Sequence, residues 1–124
     1  MQYFLSLGSN INAEANIIFA IEQLNKILAN TKFSSTHKTK AEGFEGDDFL
    51  NLVVAGKSDL SFDDLNEKLK DIENESGRKR DVPKFSARTL DIDIVLQINE
   101  DEILYESDEI EKYSFVSEPL KEVL

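Results

Sequence analysis

Residues 77–96 read GRKRDVPKFSARTLDIDIVL, and the rest of the chain is organised around them. Five of the 14 Lys and Arg residues lie between Arg78 and Arg88, namely Arg78, Lys79, Arg80, Lys84 and Arg88, opposed there only by Asp81. Leu90-Asp91-Ile92-Asp93-Ile94 then alternates apolar and acidic residues. On a strand that alternation sends Asp91 and Asp93 to one face and Leu90, Ile92 and Ile94 to the other. Cα atoms two apart on a strand are separated by roughly 6.6 Å. Two carboxylates so placed can share hard cations, and Mg²⁺ takes one or two carboxylates together with phosphate oxygens and water. An Arg/Lys-rich loop beside them is what a polyphosphate substrate requires. Read without that loop, a D-x-D pair is more simply a solvated strand face.

Outward from this stretch the chain is acidic, with 25 acids against 14 bases and a net charge of −11. That excludes nucleic acid and anionic membrane as main partners. From Glu100 onward nine acids face only Lys112 and Lys121, a solvated surface. A hydrophobic content of 40% in 124 residues predicts one domain over 1–124 with a single core. There are no cysteines, consistent with a reducing compartment. MQYFLSLGSN has neither a basic n-region nor a long apolar run, so neither a signal peptide nor a membrane span is expected, and the expected location is the cytoplasm.

Tyr3-Phe4-Leu5-Ser6-Leu7 reads as a buried strand ending in a turn at Gly8-Ser9-Asn10. Asn12 is a candidate N-cap for a helix with Ile17, Ile21, Leu24 and Leu28 at helical spacing, widened by Ile18 and Ile27 and ending near Asn30. Its N-terminus could bind an anion. Residues 32–39 suit one exposed edge strand, with His37 a surface residue on it. Residues 40–48 form a long loop. Phe49 to Ala55 is a strand whose Asn51 must find a partner, either backbone or ligand. Ser61 caps a second helix through Asp64, with Leu60 and Leu65 as a staple. Phe62, Leu65, Leu69 and Ile72 form its buried stripe and Gly77 its end. Glu73 sits where the helix dipole disfavours a carboxylate, which hints at a nearby cation. A strand over 89–97, a short strand at 103–105 and core contacts at Phe115-Val116 and Pro119-Leu120 complete the chain. The order β-α-β-β-α-β predicts an α+β, ferredoxin-like antiparallel sheet with both helices on one face, plus a short C-terminal tail. The other face is expected to stay open, with Asp91, Asp93 and Asn51 able to point into it.

Leu5-Ser6-Leu7-Gly8-Ser9-Asn10, Phe49-Leu50-Asn51, Ile72-Glu73, Gly77-Arg78-Lys79-Arg80 and Arg88-Thr89-Leu90-Asp91-Ile92-Asp93-Ile94 together resemble the 6-hydroxymethyl-7,8-dihydropterin pyrophosphokinase family. The resemblance covers roughly residues 2–97 and resumes at Phe115 and Pro119-Leu120. It implies pyrophosphoryl transfer from ATP to the pterin hydroxymethyl group, releasing AMP, in folate biosynthesis. By the resemblance, Asp91 and Asp93 would hold two Mg²⁺, and Arg78, Arg80 and Arg88 would contact the triphosphate. Asn51 would hydrogen-bond the pterin, with Thr39, Phe85 and Phe115 beside it. The loops 40–48 and 79–87 look like lids. ATP and the pterin would be the small-molecule partners of a monomer, or of a dimer.

The chain departs from the family pattern at the end. Glu106-Ser107-Asp108 replaces a Pro-His motif, Tyr113 replaces an Arg, and Lys40-Ala41-Glu42 replaces a Pro-containing lid segment. The chain stops at Leu124. These changes imply weaker ATP binding, and a histidine at 107 would restore a phosphate contact. A non-catalytic relative using the same pocket for pterin, nucleotide or a protein is the alternative.

Overall fold

The computed structural model describes residues 1–40, 48–77 and 90–124. Arg78, Arg80, Phe85 and Arg88 lie outside the described residues, as do both expected lids except Lys40 and Asp48. The described elements are β1 (Gln2–Ser9), α1 (Ala13–Ile27), β2 (Ala29–Phe33), β3 (His37–Thr39), β4 (Phe49–Lys57), α2 (Phe62–Glu75), β5 (Asp91–Asn99), β6 (Glu102–Glu106), α3 (Glu109–Lys112) and α4 (Ser114–Val123). The strands form one antiparallel sheet in the order β2-β4-β1-β5-β6, with β3 also paired to β4.

Alternation along the central strands builds two faces. Leu5 and Leu7 of β1, Leu52 and Val54 of β4, and Ile92 and Ile94 of β5 meet α1 and α2 on the first. Leu24, Leu65 and Leu69 are fully buried there, and truncating one to Ala costs about 2–5 kcal/mol. Ser61 caps α2 by accepting the Asp64 N–H at 3.2 Å, as its sequence predicts. Gly77 follows the helix at φ 88, a left-handed conformation that suits glycine.

The helical stripe of α1 is narrower than its sequence suggests. Ile17, Ala20 and Leu24 are buried, whereas Ile18 is 59% exposed. Asn12 stands at the N-cap in a left-handed conformation, and its side chain caps nothing. The edge strand expected over 32–39 is two strands. Ser34 breaks it by donating its N–H to Val53 O while its Oγ accepts the Val53 N–H, both at 2.9 Å. A hydroxyl here takes the place of a main-chain acceptor, so the ladder is interrupted.

The second face is not wholly open. Phe4, Val53, Ala55, Val95 and Leu96 form an apolar patch there, and Val116, Leu120 and Val123 of α4 cover it. A bulge makes this possible: Leu5 pairs with Ile94 but Phe4 with Leu96, leaving Val95 as the extra residue. Asp91, Asp93 and Val95 share a face by alternation, and beyond the bulge Leu96 continues on that face. Gln97 is thereby turned to the other side, where its amide donates to Tyr3 OH at 3.2 Å and the Met1 sulfur at 3.1 Å. The expected tail thus contains two helices, and α4 leaves uncovered the part of the face that carries Asn51, Asp91 and Asp93.

Candidate active site

Strand register arranges the second face in rows. Gly8 lies opposite Asn51 of β4 on one side and Asp91 of β5 on the other. The next row is Val53, Ser6 and Asp93. The row after it contains Ala55 and Phe4, already under α4. With neighbouring strands about 4.8 Å apart, Asn51 and Asp91 stand roughly 10 Å apart across Gly8. Gly8 keeps that interval free of side chain: a Cβ there would come within 3.1 Å of Asn51 Oδ1.

These rows floor a cleft of about 320 Å³. Thr39 of β3, Lys40 just after it and Phe49 of β4 line it on one side, and Glu109 of α3, Phe115 of α4 and Tyr113 between those helices on the other. Of the residues singled out in the sequence, Thr39, Asn51, Asp91, Asp93 and Phe115 therefore share one cleft. The first turn of α1 is not among the described residues that line it. Asn51 is buried and donates its Nδ2 to Thr39 Oγ1 at 2.8 Å. Its carboxamide is thereby held in one orientation at the cleft floor.

The carboxylates are unequal. Burial, then Asp91, Glu109 and Glu73 in that order, push the Asp93 carboxyl up to about 7, with Lys70 acting in the opposite direction. Glu73 is fully buried, and its Oε2 accepts the Ile92 N–H at 2.7 Å. Lys70 Nζ lies 3.8 Å from Glu73 Oε1, the cation that the awkward helical position of Glu73 hinted at. Glu73 thus grips the main chain between the two aspartates from the opposite face of the sheet.

Glu109, Tyr113, Phe49, Ser6 and Gly8 also line the cleft, and sequence reasoning passed over them. Alternation with Leu5 and Leu7, and with Leu50 and Leu52, could have found Ser6, Gly8 and Phe49. Nothing local marks Glu109 or Tyr113, which the folded tail brings in. Tyr113 stacks on Phe115 with ring centroids 4.8 Å apart. Ser107, in the stretch where the resemblance implies a Pro-His motif, is buried and is not a lining residue. Its N–H donates to Val95 O at 2.9 Å and its Oγ accepts the Glu109 N–H at 3.2 Å, so it anchors the start of α3.

The fold and the cleft place this chain among ferredoxin-like α+β proteins with a carboxylate-floored, small-molecule cleft on one sheet face. A family model described as 7,8-dihydro-6-hydroxymethylpterin-pyrophosphokinase matches residues 4–124. The chain is 40% identical over 99 residues to the 2-amino-4-hydroxy-6-hydroxymethyldihydropteridine pyrophosphokinase of Aquifex aeolicus, covering 78% of this chain and 61% of that protein. It is 34% identical over 128 residues to the Bacillus subtilis protein of the same name, covering 97% and 76%. For the Haemophilus influenzae protein of that name the identity is 37% over 101 residues, covering 78% and 62%. The match thus spans 61–76% of the length of these three relatives. The chain belongs to the 7,8-dihydro-6-hydroxymethylpterin-pyrophosphokinase family.

Proposed function

We propose that this chain transfers the pyrophosphoryl group of ATP to the hydroxymethyl oxygen of 6-hydroxymethyl-7,8-dihydropterin, releasing AMP. The observation that carries the reading is the row Asn51, Gly8, Asp91, which sets an amide hydrogen-bonding group and a carboxylate at opposite ends of one open interval. The family's pterin chemistry gives that interval its substrate.

The Asn51 carboxamide offers a donor and an acceptor to a flat heterocycle, and Phe49 and Phe115 supply apolar ring faces beside it. The hydroxymethyl oxygen would attack the β-phosphorus of ATP. The bond from that phosphorus to the α,β-bridging oxygen breaks, AMP leaves with the bridging oxygen, and the hydroxyl proton is released. Positioning and charge neutralisation carry such a transfer, and no protein nucleophile is required.

Asp91 and Asp93 fit divalent cations. Both line the cleft, and the Asp93 carboxyl is held up by burial and by like charges that a cation would offset. Among the described residues no group of three His, Cys, Asp or Glu side chains could hold a metal. A pair of carboxylates with substrate oxygens and water completing the shell is the manner of Mg²⁺. When bound, Mg²⁺ supplies neutralisation of the triphosphate and polarisation of the transferred group. Glu109 adds a third carboxylate to the cleft, which makes triphosphate entry without cations costlier. Arg78, Arg80 and Arg88 complete the proposal as triphosphate contacts and Phe85 as a pterin contact. The reading places a monomer, or a dimer, in the cytosol, and no described helix is long and apolar enough to cross a membrane.

The test is incubation with ATP, Mg²⁺ and the hydroxymethyl pterin. Equimolar AMP and pterin pyrophosphate are expected. Pterin binding without AMP would instead identify a non-catalytic relative.

A further inference from the structure

On the side of the sheet that carries the cleft, α4 is tied to the β2–β3 connection by a single carboxylate. Glu122, in the last turn of α4, accepts the Ser35 N–H at 2.8 Å through Oε1. The Ser35 hydroxyl lies 2.8 Å from Oε1 and 3.0 Å from Oε2. His37 Nε2 lies 2.6 Å from Oε2 and 3.3 Å from Ser35 Oγ. The group is not a hydrolytic triad, because serine and glutamate meet the same ring nitrogen of His37. The Ser35 N–H, then the His37 ring, then the Ser35 hydroxyl hold the Glu122 carboxyl down at about 2, so it is an anion at neutral pH.

What this carboxylate grips matters for the cleft. His37 opens β3, a strand of three residues paired, among the described residues, with the start of β4 through His37–Asn51, Lys38–Leu50 and Thr39–Phe49. So short a strand has little ladder of its own to fix it. Its last residue, Thr39, supplies the oxygen that receives the Asn51 amide. An uninterrupted path therefore runs from Glu122 through Ser35 and His37 along β3 to Thr39 and the Asn51 carboxamide. Asn51 also lies directly opposite His37 in the ladder, so both routes converge on it.

We propose that Glu122 is a positioning residue, whose grip on Ser35 and His37 sets β3, and through Thr39 the Asn51 carboxamide, in register to receive the pterin. The proposal rests on the functional reading above. It assigns to the C-terminal helix a role in selecting the heterocycle rather than only in covering the sheet. The nucleotide side of the cleft, at Asp91 and Asp93, lies two strands away and is outside the path. Loss of Glu122 should therefore weaken pterin and spare nucleotide.

The experiment is direct titration of the hydroxymethyl pterin and, separately, of Mg²⁺ with a non-hydrolysable ATP analogue, into wild type, Glu122→Ala, Glu122→Gln and Ser35→Ala. The Asn51 side-chain amide resonances are followed in parallel by NMR. Glu122→Ala is expected to raise the pterin Kd about tenfold, leave the nucleotide Kd within about twofold, and shift the Asn51 amide pair. Glu122→Gln, which keeps an oxygen acceptor for the Ser35 N–H, should recover most of the affinity. Ser35→Ala, which keeps that N–H and the His37 contact, should cost about twofold and serves if Glu122→Ala does not fold. Unchanged pterin affinity with an unmoved Asn51 amide in these variants overturns the proposal. So does an equal loss of pterin and nucleotide. Wild type that binds no pterin overturns the functional reading itself, an outcome distinct from wild type and variants binding alike.

Discussion

The buried carboxylate of Glu73 accepts the main-chain N–H of Ile92 at 2.7 Å, so a helix on one face of the sheet holds the strand that presents Asp91 and Asp93 on the other. Replacing Glu73 with Ala strands that buried N–H and opens a cavity. The expected loss is about 2–4 kcal/mol, read by urea unfolding. Glu73→Gln keeps an oxygen for Ile92 and should lose less than half as much.

Asp93 gives a pH dependence with a definite sign. Its carboxyl is raised from 3.8 to about 7 in the folded chain. The native state therefore holds a proton that the unfolded state has released, and stability falls as pH rises from about 4 towards 7. Asp93→Asn removes that decline. The variant should be about 1–3 kcal/mol more stable than wild type at pH 8 and equal to it below pH 4. Its turnover should fall by at least about 100-fold, as should that of Asp91→Ala. Full turnover in either variant would show that these carboxylates hold no reacting cation.

Mg²⁺ alone should stabilise the protein. At a free concentration 100 times its Kd, the gain is about 2.7 kcal/mol. Thermal midpoints should rise with Mg²⁺ at pH 8 and return on chelation. The rise should be smaller at pH 5, where Asp93 is protonated. An equal rise in Asp91→Ala would place the bound cation elsewhere.

Ser107→His separates family pattern from local packing. The pattern suggests that histidine would regain a phosphate contact. The site argues otherwise, since Ser107 is 7% exposed and its hydroxyl receives the Glu109 N–H. A larger ring should cost about 1–3 kcal/mol and loosen α3 without raising turnover. Thermal unfolding and AMP release measured together decide between the two.

The sequence by itself determined the parts whose physics is local. Leu90 to Ile94 alternates, so Asp91 and Asp93 had to share a face of any strand. Ser61 and Asp64 started α2 and Gly77 stopped it, because cap chemistry lies within a few residues. The two one-sided helices and the β-α-β-β-α-β order then left few sheets to choose from. Only the tertiary structure decided the rest. The bulge at Val95 was invisible, because Val95 and Leu96 are both apolar and either could face the core. The register that aligns Asn51, Gly8 and Asp91 joins residues more than 80 positions apart in sequence, and no local pattern encodes it. Glu122 read as one more acid in an acidic tail. It became the partner of Ser35 and His37 because Val116, Leu120 and Val123 bury themselves on Phe4 and Val53 and so lay α4 across the sheet. Apolar burial is indifferent to sequence distance, and it set which distant polar groups would meet.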